Sequence, residues 1–136
     1  VTALLLVHAG ATVAMAGLAW FVQLVHYPLF AQVGRDGFAR YEAEHTRRTT
    51  WLVAPLMLAE AASTLVLLVA DPSTLTVVGA ALLGVVWLST ALVQVPLHGR
   101  LQRGFDADAH RRLVRSNAVR TAAWTGRAVI ALALLA

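Results

Sequence analysis

A chain of 136 residues that is 59% hydrophobic and only 13% charged is too apolar for a small soluble domain, and its length limits it to one domain. It has no cysteine, so disulfides and thiolate metal sites are excluded. The net charge of +4 comes from 11 Arg without a single Lys, all between residues 35 and 127 and clustered around two turns; that distribution is the positive-inside pattern of membrane proteins and rejects a nucleic-acid partner.

Four apolar runs, about 2–33, 51–70, 74–97 and 113–136, each approach or exceed the roughly 20 residues that cross a bilayer. The predicted fold is all-α, a single transmembrane four-helix bundle over 1–136. The Arg-rich segments 35–48 and 100–120 are expected in the cytoplasm. Both termini then face out, from a cell inner or plasma membrane. The opposite connection, 71–74, carries one Asp and no Arg. The first run lacks a basic leader and is too long for a cleaved signal peptide. Ala14-Met15-Ala16 mimics a cleavage site, but Gln23 and His26 come after it within the same helix.

Helix one is rich in Ala and Gly, which lets helices approach closely in lipid. Pro28 removes a backbone donor near its end and predicts a kink. His8 and His26 are 18 residues, five full turns, apart and share a face. Residues 36–50 read as an amphipathic helix that continues into helix two, with Asp36 as its N-cap. Helix two carries Pro55 and an intramembrane Glu60 and ends at Asp71-Pro72. Helix three starts at Ser73 or Thr74, carries Gly79, Gly84 and Pro96, and ends near His98. Asp106 or Asp108 caps helix four. At about 100° per residue, His110, Asn117, Arg120, Trp124 and Arg127 fall on one stripe of it, whereas Arg111, Arg112 and Arg115 point elsewhere. Ionisable residues in such a segment face a bundle interior or a wet cavity.

The halves resemble each other. Pro28-Leu29, Gly37-Phe38 and His45-Thr46-Arg47-Arg48 are echoed by Pro96-Leu97, Gly104-Phe105 and His110-Arg111-Arg112. Two pseudo-repeated helical hairpins about an axis along the membrane normal are expected.

Helix rise places candidate site residues by depth. Counted from outer ends at 2, 70, 74 and 136, His26, His45, His98 and His110 lie 24, 25, 24 and 26 residues in, about 36–39 Å at 1.5 Å per residue. Each helix thus delivers one His to one layer, with Gln23, Gln94 and Asn117 just above it. Four imidazoles at one level are candidate ligands of a transition metal or haem. The carboxylate-rich pattern of di-iron bundles, Glu plus Glu-x-x-His, is read as absent. Without a metal, the same His26, His45, His98 and His110, with Tyr41, supply acid–base groups. Arg120 stabilises a developing oxyanion or enolate, and Gln23, Gln94, Asn117 and Trp124 bind substrate. Trp20, Trp51, Trp87 and Trp124 also read as belt and packing residues. Glu60 and Arg127, near the midplane, are expected to form a structural ion pair.

At Val95-Pro96-Leu97, followed by Asn117, Arg120, Thr121 and Trp124, the second hairpin resembles the anthrone-oxygenase-like family of small four-helix membrane proteins. The first hairpin resembles it in layout. The family commonly has Asn after Pro-Leu, where this chain has His98. The resemblance implies a cofactor-independent oxygenase of polycyclic phenolic substrates. The leading expectation is therefore an integral membrane enzyme, oxidoreductase-like or cyclase-like, acting on a lipophilic small molecule by oxygenation, cyclisation or proton transfer near the cytoplasmic face. The alternatives are a His-ligated metal or haem redox protein and a small transport or accessory subunit. Membrane lipid is the expected surrounding, and composition leaves a homo-oligomer open.

Overall fold

A computed structural model describes all 136 residues. Four helices succeed one another: α1, Thr2–Gln32; α2, Arg35–Ala70; α3, Thr74–Leu101; and α4, Ala107–Ala133. Each packs on the next, and α4 returns to α1, closing a four-helix bundle. The α1–α4 and α3–α4 pairs are the most intimate; α2 and α3 are the loosest. Three helices, α1 to α3, are long and apolar enough to cross a membrane. The sequence predicts four spans. The fourth helix packs in the same bundle but is more polar, because it turns Asn117, Arg120 and Arg127 into the interior.

The bundle is inside-out relative to a soluble domain. Twelve of its 32 buried residues are polar or charged, while Leu24, Leu58, Leu65, Leu88, Leu92 and Val129 stand on the outside. Water does not reward that surface, whereas lipid tolerates it. These features point to an integral membrane protein.

Local sequence explains the helix irregularities. Pro28 and Pro96 cannot donate to the carbonyl four residues back, and their rings crowd it. Both α1 and α3 widen just before the proline into a π turn, Val22–His26 and Thr90–Gln94. There the N–H of Tyr27 reaches Val22 O and that of Val95 reaches Thr90 O, five residues back. The same device at the same place in both hairpins gives the repeat a structural counterpart. After Pro28, α1 tightens into a 3-10 turn, Phe30–Gln32. Gly34 and Gly104 take positive φ, 92° and 138°, a region open to glycine and strained for other residues. They make the two turns at the Arg-rich end.

Gly34, not Asp36, stands at the N-cap of α2, and Asp36 lies in the first turn. Ser73 caps α3 by accepting from the Thr76 N–H, and Asp106 caps α4 by accepting from the Ala109 N–H at 2.9 Å. That backbone bond holds the Asp106 carboxyl below the ordinary aspartate range, and Arg100 at 2.6 Å adds to it. The cap therefore stabilises the fold fully above the unfolded aspartate value of about 3.9. It is lost as pH falls below that through the depressed folded value. Asp106→Asn keeps an acceptor but removes the charge. It is expected to flatten the acid limb of a thermal-melting-versus-pH curve in detergent; an unchanged limb would mean that the cap does not titrate there.

Candidate functional site

The Arg-rich end of the bundle holds a layer of aromatic and imidazole rings. It packs on a core of Tyr27, Phe30, Phe38, Leu97, Leu101, Ala109 and Leu113. Phe30 is fully buried at its centre, with its ring centroid 5.2 Å from His26 and 5.1 Å from His45, both edge-on. His26 Nε2 and His45 Nδ1 share a hydrogen bond of 2.8 Å. The His45 and His98 rings lie 5.3 Å apart. The structure thus brings His26, His45 and His98 together. His110 sits on the other side, stacked on Phe30, and its Nε2–H donates to the Tyr27 carbonyl at 2.7 Å. That bond fixes its tautomer and removes it from the shared site. Tyr41 packs against Phe30 and Phe38. No three His, Asp or Glu side chains stand in a metal-ligand arrangement; the imidazoles are spent on one another and on protein partners.

The centre of the layer is a chain of three groups. Glu42 is completely buried and its Oε1 meets His98 Nδ1. His98 Nε2 lies 2.8 Å from the Tyr27 hydroxyl, and Gln94 Oε1 lies 3.3 Å from the same hydroxyl. A carboxylate only accepts, so His98 turns an Nδ1–H towards Glu42, and the Nε2 of the neutral ring is then left to accept from the Tyr27 hydroxyl. Carboxylate, imidazole and hydroxyl in series form the orienter–base–acid logic of a catalytic triad. Glu42 Oε2 is buried without a partner.

Sequence reasoning misses Tyr27 and Glu42. A signal for Glu42 exists: Phe38, Glu42, His45 and Thr49 recur at i, i+4, i+7 and i+11, one helix face, and Glu42-Ala43-Glu44-His45 contains one Glu-x-x-His unit. Tyr27 has no comparable signal, because it comes after a π turn that breaks the count from the start of α1.

A cleft of about 280 Å³ opens where α2 and α3 pack least closely. Thr46, Thr49, Thr50, Val53 and Met57 line one side, Thr90, Val95, Gly99 and Gln102 the other; Tyr27, His45, His98, Gln94 and Arg120 complete it. A second hollow, between α1 and α2, is lined by His26, Tyr41, Glu44, His45, Arg48 and Thr49. His45 borders both. Gln23 and Asn117, expected to touch substrate, bond each other at 3.0 Å instead. Gln23 also donates to Val114 O, and neither lines the cleft.

A separate polar cluster lies towards the termini. Arg127 Nε donates to Glu60 Oε1 at 3.3 Å, and its other nitrogens reach Thr64 Oγ1 and the Gly79 carbonyl. The Trp124 Nε1–H donates to Glu60 Oε2 at 2.9 Å, so Trp124 anchors a carboxylate here. His8 pairs with Ser63 at 2.9 Å. Met15, Ala19, Met57, Val86 and Ala123 form an apolar core around Trp124, between this cluster and the imidazole layer. No protein-family model, curated protein or solved structure matches this chain, so its chemistry rests on the geometry of its own side chains.

Proposed function

We propose that the protein is an integral membrane enzyme that takes a proton from a lipophilic small molecule held in the α2–α3 cleft. The observation that carries this is the Glu42–His98–Tyr27 chain ending on that cleft. In the proposed step a substrate proton passes to the Tyr27 oxygen as the phenol's own proton passes to His98 Nε2. The substrate is left as an anion and His98 as an imidazolium beside Glu42; charge and protons balance. Threonines and apolar side chains line the rest of the cleft, and entry from lipid suits an apolar body. Removing such a proton is the first need of a cofactor-independent oxygenation, the chemistry implied by the resemblance of the second hairpin, and equally of a cyclisation. A metal or haem reading has less support, because the imidazoles already hold one another. A transport reading is weakened by the apolar layer around Trp124, which separates the two polar clusters.

The test uses anthrone as probe, with protein in lipid nanodiscs and D2O as solvent. Mass spectrometry is expected to show deuterium entering the acidic methylene faster than without protein, with the gain lost in Tyr27→Phe. Equal exchange with both proteins would overturn the reading.

In this proposal the Arg-rich turns lie in the cytoplasm and the site opens near that face. A reporter fused after Ala136 is expected to read as outside the cytoplasm. Cytoplasmic activity of that fusion would reverse the topology.

A further inference from the structure

Two arginines of α4, seven residues apart, are buried to different ends. Arg127 engages Nε, Nη1 and Nη2 and has a carboxylate partner in Glu60. Arg120 is 9% exposed and makes one hydrogen bond, from Nη1 to Asn117 Oδ1 at 3.2 Å. A guanidinium has five N–H donors and stays charged. The Arg120 Nε is buried with no partner. The face of Trp124 lies 5.0 Å from the guanidinium carbon. That cation–π contact offsets part of the desolvation but leaves the Nε–H without an acceptor.

No carboxylate stands within ion-pair distance of Arg120, and the glutamates of the bundle are engaged elsewhere. Glu60 is held by Arg127 and Trp124, and Glu42 by His98. Glu44 is taken by Arg47 and Arg48 on the surface. A charge placed at membrane depth without a counter-ion is costly, and such residues mark ligand sites. Arg120 also lines the α2–α3 cleft, beside Tyr27 and His98.

We propose that this cleft binds an organic oxyanion, a carboxylate or equivalent acid on an apolar body, with Arg120 as its counter-ion. The planar fork of the guanidinium suits two oxygens at once. The apolar body lies between α2 and α3, where Val53, Met57 and Val95 line the walls. The cleft volume, about 280 Å³, is near the lower end of ligand pockets, about 300–1,000 Å³, which suits a small ring system or a medium acyl chain. This deepens the proposed function by naming the acid class of the substrate, and it rests on that reading for the role of the cleft. The same chemistry has two sources, a small lipophilic acid or the headgroup of an anionic lipid.

The experiment measures binding, not turnover. The full chain in nanodiscs of phosphatidylcholine is titrated with 2-naphthoate, 2-naphthylmethanol and 2-naphthylmethylamine, read by thermal stability and by quenching of tryptophan fluorescence. The expected result is stabilisation and quenching by naphthoate at least tenfold more potent than by the alcohol or the amine. Arg120→Gln is expected to erase that preference and Arg120→Lys to keep it in weakened form. Should Arg120→Gln not fold, Gly99→Leu serves: a Cβ added at Gly99 meets nothing within 4 Å, and Gly99 lines the cleft, so the longer side chain has that space to occupy. It is expected to block naphthoate while leaving the fold intact. Phosphatidylglycerol in the nanodisc that competes with naphthoate would assign the oxyanion to a lipid headgroup; absence of competition assigns it to a free acid. Equal binding of the three probes, or naphthoate binding indifferent to Arg120→Gln and Gly99→Leu, would overturn the inference. Because no turnover is measured, that failure is separate from loss of Tyr27-dependent deuterium exchange.

Discussion

Glu60→Gln and Arg127→Gln are each expected to destabilise the bundle by about 3–5 kcal/mol, the usual cost of leaving one member of a buried ion pair alone. Both side chains are essentially inaccessible, Glu60 at 0% and Arg127 at 1% exposure. They meet across the bundle, from α2 to α4. The pair itself need add little net stability, because desolvation offsets much of the attraction. The double replacement is therefore expected to cost clearly less than the sum of the two single ones. The two losses should also be unequal. A carboxylate left alone can take up a proton, whereas a guanidinium cannot shed one. Glu60→Gln strands Arg127 with only Thr64 and the Gly79 carbonyl and should be the worse. Unfolding in detergent decides the matter. Strictly additive losses would show that the two residues are not coupled.

Tyr27→Phe is expected to lower turnover by about 10²–10⁴-fold, the usual contribution of a positioned proton-transfer group, while the protein still folds. The change removes one hydroxyl and keeps the ring, which packs edge-on against His98 and tilted on Phe30. Glu42→Gln should act through His98. An amide in place of Glu42 cannot balance an imidazolium, so the base loses the charge that favours its protonation. Combining Glu42→Gln with Tyr27→Phe should add little to the loss from Tyr27→Phe, because groups that work as one unit are strongly non-additive. Deuterium wash-in and product formation measured on the three variants test this. Multiplying losses would mean that Glu42 and Tyr27 act on different steps.

The proposed oxyanion site and the proton chain are compatible in space. Tyr27, His98 and Arg120 border one cleft, so a counter-ion for the bound oxyanion and an acceptor for a proton on the body of the same molecule lie side by side. His26 and His45 stand apart from that pair of roles. They share a hydrogen bond at the boundary of the second hollow, and Thr49 Oγ1 lies 3.2 Å from the same His45 nitrogen.

The sequence by itself determined the four helices and the inward stripe. Apolar runs of bilayer length specify helices, since backbone donors in lipid must be satisfied within the segment. Arg120, Trp124 and Arg127 fall on one face by period alone, and the structure buries all three. Glu60 and Arg127 are matched by depth, because helix rise is constant and two buried charges near the midplane have few other partners. The repeat is visible in Pro28 and Pro96, although the π turns that accompany them are not. Depth places four imidazoles in one layer, but depth says nothing of azimuth. Only the tertiary structure decided that His110 would cap the Tyr27 carbonyl, that Glu42 would take His98, and that Gln23 and Asn117 would satisfy each other. It alone left Arg120 without a counter-ion and opened the cleft between α2 and α3. These are outcomes of which helix faces meet and how closely. Each π turn shifts the phase of every residue beyond it, and side chains from three helices compete for the same few donors and acceptors in the buried interior.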